Sequence, residues 1–459
     1  MEFARKRVYD VLTDKEMGDL EAYSRSYMDF LSKAKTERLA FEEIISRAEE
    51  AGFVCLEEAI KKPLKKGDRI YVGNKQKGAA LFVLGEDLRQ GMDIVGAHID
   101  VPRLDLKALP LYEEGNLALL RTHYYGGIKK YQWTTLPLAL HGVIYKKDGD
   151  RVVISIGEEE GDPVFYINDL LPHLAKDQMA KTAKEVISGE QLHIVAGHCS
   201  RGNEEEEKTP VKANILKLLK EKYEIDEDDF QIAEIEAVPA GPAREVGFDR
   251  SLIAGHGHDD RVCSYASLRA ILETKENKRT SVALFIDKEE IGSVGNTGMR
   301  SRFFENAVAE LINAWLGSYS ELDLKRAMAR SRVLSADVNT AYDPLFPEVV
   351  DKANVAWMGC GVTLSKYTGS GGKGGSNDAN AEFLNVVRKI FDAEGVIWQT
   401  GELGAVDQGG GGTIAYILAE YGAEVVDCGT GMLSMHAPIE LVSKADAYET
   451  YRAYRAFFA

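Results

Sequence analysis

Two adjacent carboxylates, Glu289 and Glu290, follow the apolar run Val282–Ile286 in the stretch SVALFIDKEEIGS. A short run of apolar and β-branched residues reads as a strand buried on both faces. In open α/β sheets, ligands sit beyond the carboxyl ends of strands. If the chain is still extended there, neighbouring side chains point in opposite directions. One carboxylate can then ligate a metal while the other faces a water beside it. That pairing of fixed ligand and general base is what metal-assisted hydrolysis needs. A solvated acidic strand end has the same composition, so the reading depends on what else the chain delivers to the same place.

Several other stretches repeat the pattern. In MDIVGAHID, His98 and Asp100 close a short apolar strand, and their spacing puts both side chains on one face. An Asp so placed can orient the His, as carboxylates do behind zinc-bound imidazoles; a lone His on such a strand is otherwise an ordinary core residue. In SLIAGHGHDDRVCSYASLRAIL, Asp259 and Asp260 precede a helix that would bury Val262, Ala266 and Ile271 or Leu272. Either Asp could instead cap that helix, and His256 and His258 could be ligands or loop residues between glycines. RVLSADVN carries Asp337 at a strand exit, and His436 lies in the loop GTGMLSMHAPIE after the strand EVVDC. Together these give two imidazoles and three carboxylates at one edge of a sheet, with no thiolate. Mixed nitrogen and oxygen donors suit a catalytic Zn²⁺, Mn²⁺ or Co²⁺. Five ligands exceed what one catalytic zinc takes, so two ions sharing a carboxylate is the natural solution.

The run GSGGKGG contains Gly369, Gly371 and Gly374 in a literal G-x-G-x-x-G, between a strand-like VTLSKYT and a helical SNDANAEFLNVVRKIF. A dinucleotide site is one reading. Against it, the match comes late in the chain and has no companion nucleotide signature. The phosphate-loop pattern fails as well, because Gly374 follows Lys373 where Ser or Thr is required. Backbone N–H groups at a helix start, with Lys366 and Lys373, could instead hold a substrate carboxylate, and Ser376 or Asn377 could cap the helix.

The elements that must position these residues belong to a chain of 459 residues, long enough for two domains. A net charge of −17 argues against nucleic acid or an anionic membrane as partners. No apolar run approaches the roughly 18 residues of a membrane span, and the N-terminus lacks an apolar signal core. Five scattered cysteines without a CxxC indicate a reducing, cytoplasmic setting. Helices are expected over Lys15–Lys33 and Ala40–Lys61, and strands over Ile70–Val72 and Ala79–Leu84. From Val101 to Val238 the character changes. Tyr131–Leu138, His141–Lys146 and Arg151–Ser155 read as β-hairpin material, Asp169–Lys184 and Lys212–Tyr223 as helices, and Arg201–Pro210 as a solvated acidic loop. The architecture is therefore α/β, a catalytic domain of residues 1–100 and 239–459 with a mixed central sheet flanked by helices. A β-rich domain of residues 101–238 is inserted in it.

With these motifs in hand, the chain resembles the M18 family of metallo-aminopeptidases, in a bacterial form of the aspartyl aminopeptidase group. The resemblance runs from GAHIDVPRLDLK through GHDDR, DKEEIGS and SADVNTA to GMLSMHAPIELVSKAD. It implies two zinc ions per subunit: Asp259 bridges them, His98 and Asp337 complete one site, and Glu290 and His436 the other. Glu289 is implied as the general base and Asp100 as the residue that orients His98. Asp259 is preferred to Asp260 because relatives place the bridging carboxylate just before a cis peptide. The resemblance also implies peptide substrates, possibly with N-terminal Asp or Glu. It implies self-association of dimers into a dodecamer through the inserted domain, with His173 reaching a neighbouring subunit's active site. One departure stands out: eukaryotic aspartyl members carry His three residues after the metal-binding Asp, and here that residue is Thr340. This loosens the expected preference for acidic residues, although Lys366 or Lys373 could still supply positive charge. Two other readings remain at this point, an inactive assembly or scaffold protein of the same fold and a nucleotide-dependent enzyme using Gly369–Gly374.

Overall fold

The computed structural model describes residues 5–200, 208–275 and 277–459. The acidic residues Glu204–Glu207 lie outside them. The chain divides into two compact units, one of residues 1–100, 243–435 and 440–459, the other of residues 101–242 and 436–439.

The first unit is built on a nine-stranded mixed sheet. Its order is Val54–Cys55, Arg69–Gly73, Ala79–Val83, Thr280–Ile286, Met92–His98, Arg332–Ser335, Glu424–Gly429, Val362–Ser365, Trp398–Thr400. The four strands from Thr280–Ile286 to Glu424–Gly429 are mutually parallel. Thr280–Ile286 and Met92–His98 are buried at every residue, as continuous apolar runs in a helix-covered parallel sheet must be. Their carboxyl ends share one edge, and that edge carries the chemistry. A five-stranded sheet of the same unit, in the order Arg244–Val246, Leu252–Gly255, Glu440–Ser443, Gly431–Leu433, Asn339–Thr340, brings Gly255 opposite Glu440.

The helix Asp14–Lys33 begins with a capping box between Thr13 and Glu16, as the sequence TDKE favours. The helix expected over Ala40–Lys61 stops at Glu50. Gly52 there adopts φ +84°, and a two-residue strand, Val54–Cys55, and a short helix, Leu56–Ala59, follow. His258–Glu273 packs against the C-terminal helix Lys444–Phe458. It is buried on nearly every side rather than on one stripe, because Tyr23, Tyr27 and Phe30 cover Tyr265 from the N-terminal helix.

The second unit is a six-stranded antiparallel sheet, Arg151–Ile156, Leu138–Tyr145, Glu234–Pro239, Arg103–Glu114, Leu117–Tyr125, Ile194–Gly197, with the helix Pro210–Tyr223. The expected hairpin forms between Leu138–Tyr145 and Arg151–Ile156. Its turn is closed by Gly149 N–H to the Lys146 carbonyl and Asp150 N–H to the Asp148 side chain. Tyr131–Leu138 is not a strand, since a 3₁₀ turn occupies Lys130–Trp133. Asp169–Lys184 is not a helix. Pro172 starts a short 3₁₀ turn, Pro172–Leu174, and only Lys176–Met179 is α-helical. The helical spacing of its leucines arises instead from a strap that leaves Leu170, Leu171, Leu174 and Met179 exposed.

Candidate metal centre and active site

Register decides which residues meet. Ile286 pairs with His98 across the parallel strands, and Ser335 pairs with Gly96 on the other side. Glu289, Glu290 and Asp337 therefore leave the sheet at the same edge as His98. Leu252–Gly255 feeds Gly257, which takes φ +76° and ψ 36°, and the chain turns into Asp259 and Asp260. These two residues are non-helical within the helix start, and the peptide bond joining them is cis. Neither caps the helix. Asp259 donates its N–H to Glu440 Oε2 at 3.1 Å, and Asp260 Oδ2 accepts the His98 backbone N–H at 3.3 Å.

His98 is the hub. Its Nδ1 lies 2.9 Å from the Asp100 carbonyl and 3.4 Å from Asp100 Oδ1. A carbonyl can only accept, so Nδ1 carries a proton, and in the neutral form that a metal would bind, Nε2 presents a lone pair. That Nε2 faces Asp259 Oδ1 at 3.1 Å and Asp337 Oδ1 at 3.9 Å. Ser264 fixes the strand end by donating to the His98 carbonyl at 2.8 Å.

Asp100 is fully buried and works in two directions. Besides His98, its two carboxylate oxygens accept the backbone N–H groups of Glu289 and Glu290, each at 3.1 Å. The carboxylate pair therefore does not continue as an extended strand, as the sequence suggested. Lys288 takes a left-handed conformation and Glu289–Ile291 forms a 3₁₀ turn, which re-aims both side chains.

The electrostatics ask for a cation. Burial raises the Asp337 carboxyl well above its ordinary range; His98 opposes this, while Asp259, Glu289 and Asp260 push it further. Burial does the same to Asp260, with His98 and Cys263 opposing and Asp259 adding. Burial opposes charge on His98, yet Asp100 and Asp259 outweigh it and hold the imidazole pKa well up. Carboxylates crowded in low dielectric around one imidazole either share protons or take a metal. The ligand atoms of His98, Asp260 and Asp337 lie within 4.8 Å of one another, and so do those of His98, Asp259 and Glu290. These N/O donors fit a zinc site with open positions. Asp260, the alternative to Asp259 in the sequence, converges here as well.

Other expected residues are placed as follows. His436 belongs to the segment that packs with the second unit, where its Nδ1 lies 2.8 Å from the Gly127 carbonyl. By the same argument as for His98, its neutral form presents the Nε2 lone pair. His258 is a core residue. Its Nδ1 accepts the Tyr27 hydroxyl at 2.6 Å, its Nε2–H donates to the Ile253 carbonyl at 3.1 Å, and burial lowers its pKa to about 3. His173 is exposed on the Pro172–Leu174 turn. Thr340 ends the short strand Asn339–Thr340. Lys366 and Lys373 both stand over the Tyr367 ring, 4.7 and 3.3 Å from its centroid.

The glycine loop does not make a dinucleotide site. The following helix begins at Ala381, several residues beyond it, with Asn380 rather than Ser376 or Asn377 at its start. Two of the loop amides are already engaged, Gly369 N–H on the Gly411 carbonyl and Gly374 N–H on the Ser370 carbonyl. Sequence reasoning preferred Asp259 to Asp260, yet Asp260 also faces the site, and it missed Glu440, which holds the Asp259 amide. Nothing in the spacing of Glu440, far along the chain from Asp259, could have signalled the contact.

Comparison with known proteins shows the family. The sequence profile of the aminopeptidase I zinc metalloprotease family, M18, matches residues 30–458. The probable M18 family aminopeptidase 1 of Clostridium acetobutylicum is 52% identical over 455 residues, covering 98% of this chain and 97% of that protein. The crystal structure of the M18 aminopeptidase of Thermotoga maritima is 47% identical and superposes with a TM-score of 0.95, covering 100% of this chain and 99% of that one. The S. cerevisiae mApe1 dodecamer, 20% identical with a TM-score of 0.77 over 96% of this chain and 97% of that one, shares the fold. The chain belongs to the M18 family of zinc aminopeptidases and is a metallopeptidase.

Proposed function

We propose that this aminopeptidase holds two zinc ions, with His98 and Asp337 on one, Glu290 and His436 on the other, and Asp259 shared between them. Asp259 is preferred as the shared ligand because its Oδ1 faces His98 Nε2, whereas Asp260 already spends Oδ2 on the His98 backbone. Zinc, when bound, lowers the pKa of water and polarises the scissile carbonyl. Glu289 accepts the proton of the attacking water and passes it to the leaving amine. The observation that carries this reading is the Asp100 carboxylate, which fixes the turn bearing Glu289 and Glu290 while facing His98.

The substrate is a peptide with a free amine, cleaved after its first residue. Lys366 and Lys373, gathered on one aromatic ring, make a doubly positive patch that would favour an acidic first residue. Thr340 at the position held by His in eukaryotic relatives argues that neutral residues are also accepted. The second unit is an assembly domain. Its strap bearing His173 exposes Leu170, Leu171 and Leu174, which are 52%, 51% and 69% exposed, and a second copy would cover them. The dodecamer formed by the yeast protein supports a dodecamer built from dimers here.

The test uses Glu289→Gln. Turnover of metal-restored protein should fall by about 100-fold or more, while zinc content, measured by elemental analysis, stays at the wild-type value. Full activity in this variant would overturn the general-base assignment.

A further inference from the structure

Asp100 holds the Glu289–Glu290 turn from one side. The other side is held by Lys288, and we infer that Lys288 is a positioning residue for Glu289, acting through a buried tether to Asp287 and Thr297. This deepens the general-base reading and rests on it.

Lys288 adopts φ +66° and ψ 19°, a left-handed conformation that a residue with a Cβ disfavours. Its surroundings hold it there. Its N–H donates to Asp287 Oδ1 at 2.8 Å, and its carbonyl accepts the Ser293 N–H at 2.6 Å. Its ammonium donates to Asp287 Oδ2 at 2.9 Å and to the Thr297 hydroxyl, which itself donates to Asp287 Oδ2 at 2.5 Å. Asp287 and Thr297 are 2% and 3% exposed, so the tether is shielded from competing water. The loop that supplies Thr297 also covers the lysine stem; a Cβ on Gly295 would stand 3.2 Å from Lys288 Cδ.

A surface ion pair would contribute little, but this one fixes the backbone at the residue immediately before the base. The two carboxylates depend on it unequally. Asp100 accepts the N–H groups of both, but Glu290 is also held, in the proposed centre, by the ion it ligates. Glu289 is not a ligand in that centre, so its aim depends on its backbone, which the conformation of Lys288 helps to set. A misplacement of about 1 Å at a reacting group can cost on the order of 100-fold in rate. Loss of the tether should therefore lower kcat and leave substrate and metal binding in place.

The experiment compares wild type, Lys288→Met, Lys288→Gly, Lys288→Arg, Thr297→Val and Glu289→Gln as zinc-loaded proteins. It measures kcat, KM, zinc content and Tm for each. Lys288→Met keeps the stem and loses the ammonium; kcat should fall about 10- to 100-fold with KM and zinc content unchanged. Lys288→Gly relieves the left-handed conformation without restoring the tether, and its kcat should stay low. Lys288→Arg should recover most of the loss. Thr297→Val, which keeps the ion pair, should fall between wild type and Lys288→Met. Full kcat in Lys288→Met or in Lys288→Gly would overturn the inference, as would a fall explained by lost zinc or by unfolding in every variant. If Glu289→Gln is inactive while Lys288→Met is not, this inference alone fails. If Glu289→Gln is fully active, the general-base reading fails first.

Discussion

Replacing Asp100 with Asn changes one atom in the most heavily used side chain of the site. The carboxylate accepts N–H groups from Glu289 and Glu290, one on each oxygen, and faces His98 Nδ1. An amide has a single acceptor oxygen, so one backbone N–H would point at an NH₂ group. Hydrogen bonds to charged groups contribute about 1.5–3 kcal/mol each. If that loss falls on the aligned state of the turn, it corresponds to a fall in kcat of about 10- to 150-fold, at about 1.4 kcal/mol per factor of ten. His98 keeps its bond to the Asp100 carbonyl, so the imidazole tautomer should survive. Zinc affinity should weaken less than it would if His98 were replaced, within the 10- to 100-fold range typical of residues behind metal ligands. The assay is steady-state hydrolysis of an aminoacyl chromogenic amide at saturating zinc, paired with zinc competition against a chelator. Activity within twofold of wild type, with normal zinc binding, would refute the role assigned to Asp100.

Three further outcomes are expected. Comparing Asp-, Glu-, Leu- and Ala-linked substrates, Lys366→Ala should raise KM for the acidic pair at least fivefold and leave the neutral pair unchanged; equal effects on all four would remove Lys366 from substrate recognition. Charged substitutions at Leu171 and Leu174 should shift the protein to smaller species in sedimentation velocity, and His173→Ala should lower activity without changing assembly. Asp446 is buried and its carboxyl is pushed up to about 7, against the amides of Gly359 and Gly361 that it accepts at 2.7 Å. A folded pKa above the unfolded one means that the folded state holds its proton longer. Its contribution to stability is thus complete below about pH 4 and is lost as pH rises to about 7, by about 1.4 kcal/mol per pH unit within that window. Asp446→Asn should be less stable overall but should lack this component in urea unfolding followed from pH 4 to 8; an unchanged pH slope would contradict the assignment.

Most of the site was legible because its residues stand at places that sequence marks. Apolar runs ending in His98, Glu289 and Asp337 announce buried strands and what lies past their ends. The glycine loop was set aside as a dinucleotide site on sequence alone, but the cap expected at Ser376 or Asn377 falls at Asn380, since G-x-G-x-x-G reports backbone freedom and not where the next helix starts. The strap around His173 misled for a related reason: leucines at helical spacing can serve an exposed surface as well as a helix face, and Pro172 stops the helix. The tether through Lys288 had no signature, because Thr297 is an ordinary loop residue until the chain folds back over the lysine.

The order of residues along the strands determined the chemistry available to this protein: which donors exist, that they are nitrogen and oxygen, and that they fall at strand ends. Local rules suffice for that, because alternation, apolar runs and turn residues act over a few positions. The tertiary structure decided which of those donors meet. Parallel register set Ile286 beside His98, Asp259 and Asp260 both came to meet His98, and Glu440 came from the far end of the chain to take the Asp259 amide. Such contacts depend on packing between segments distant in sequence, and no local pattern records them.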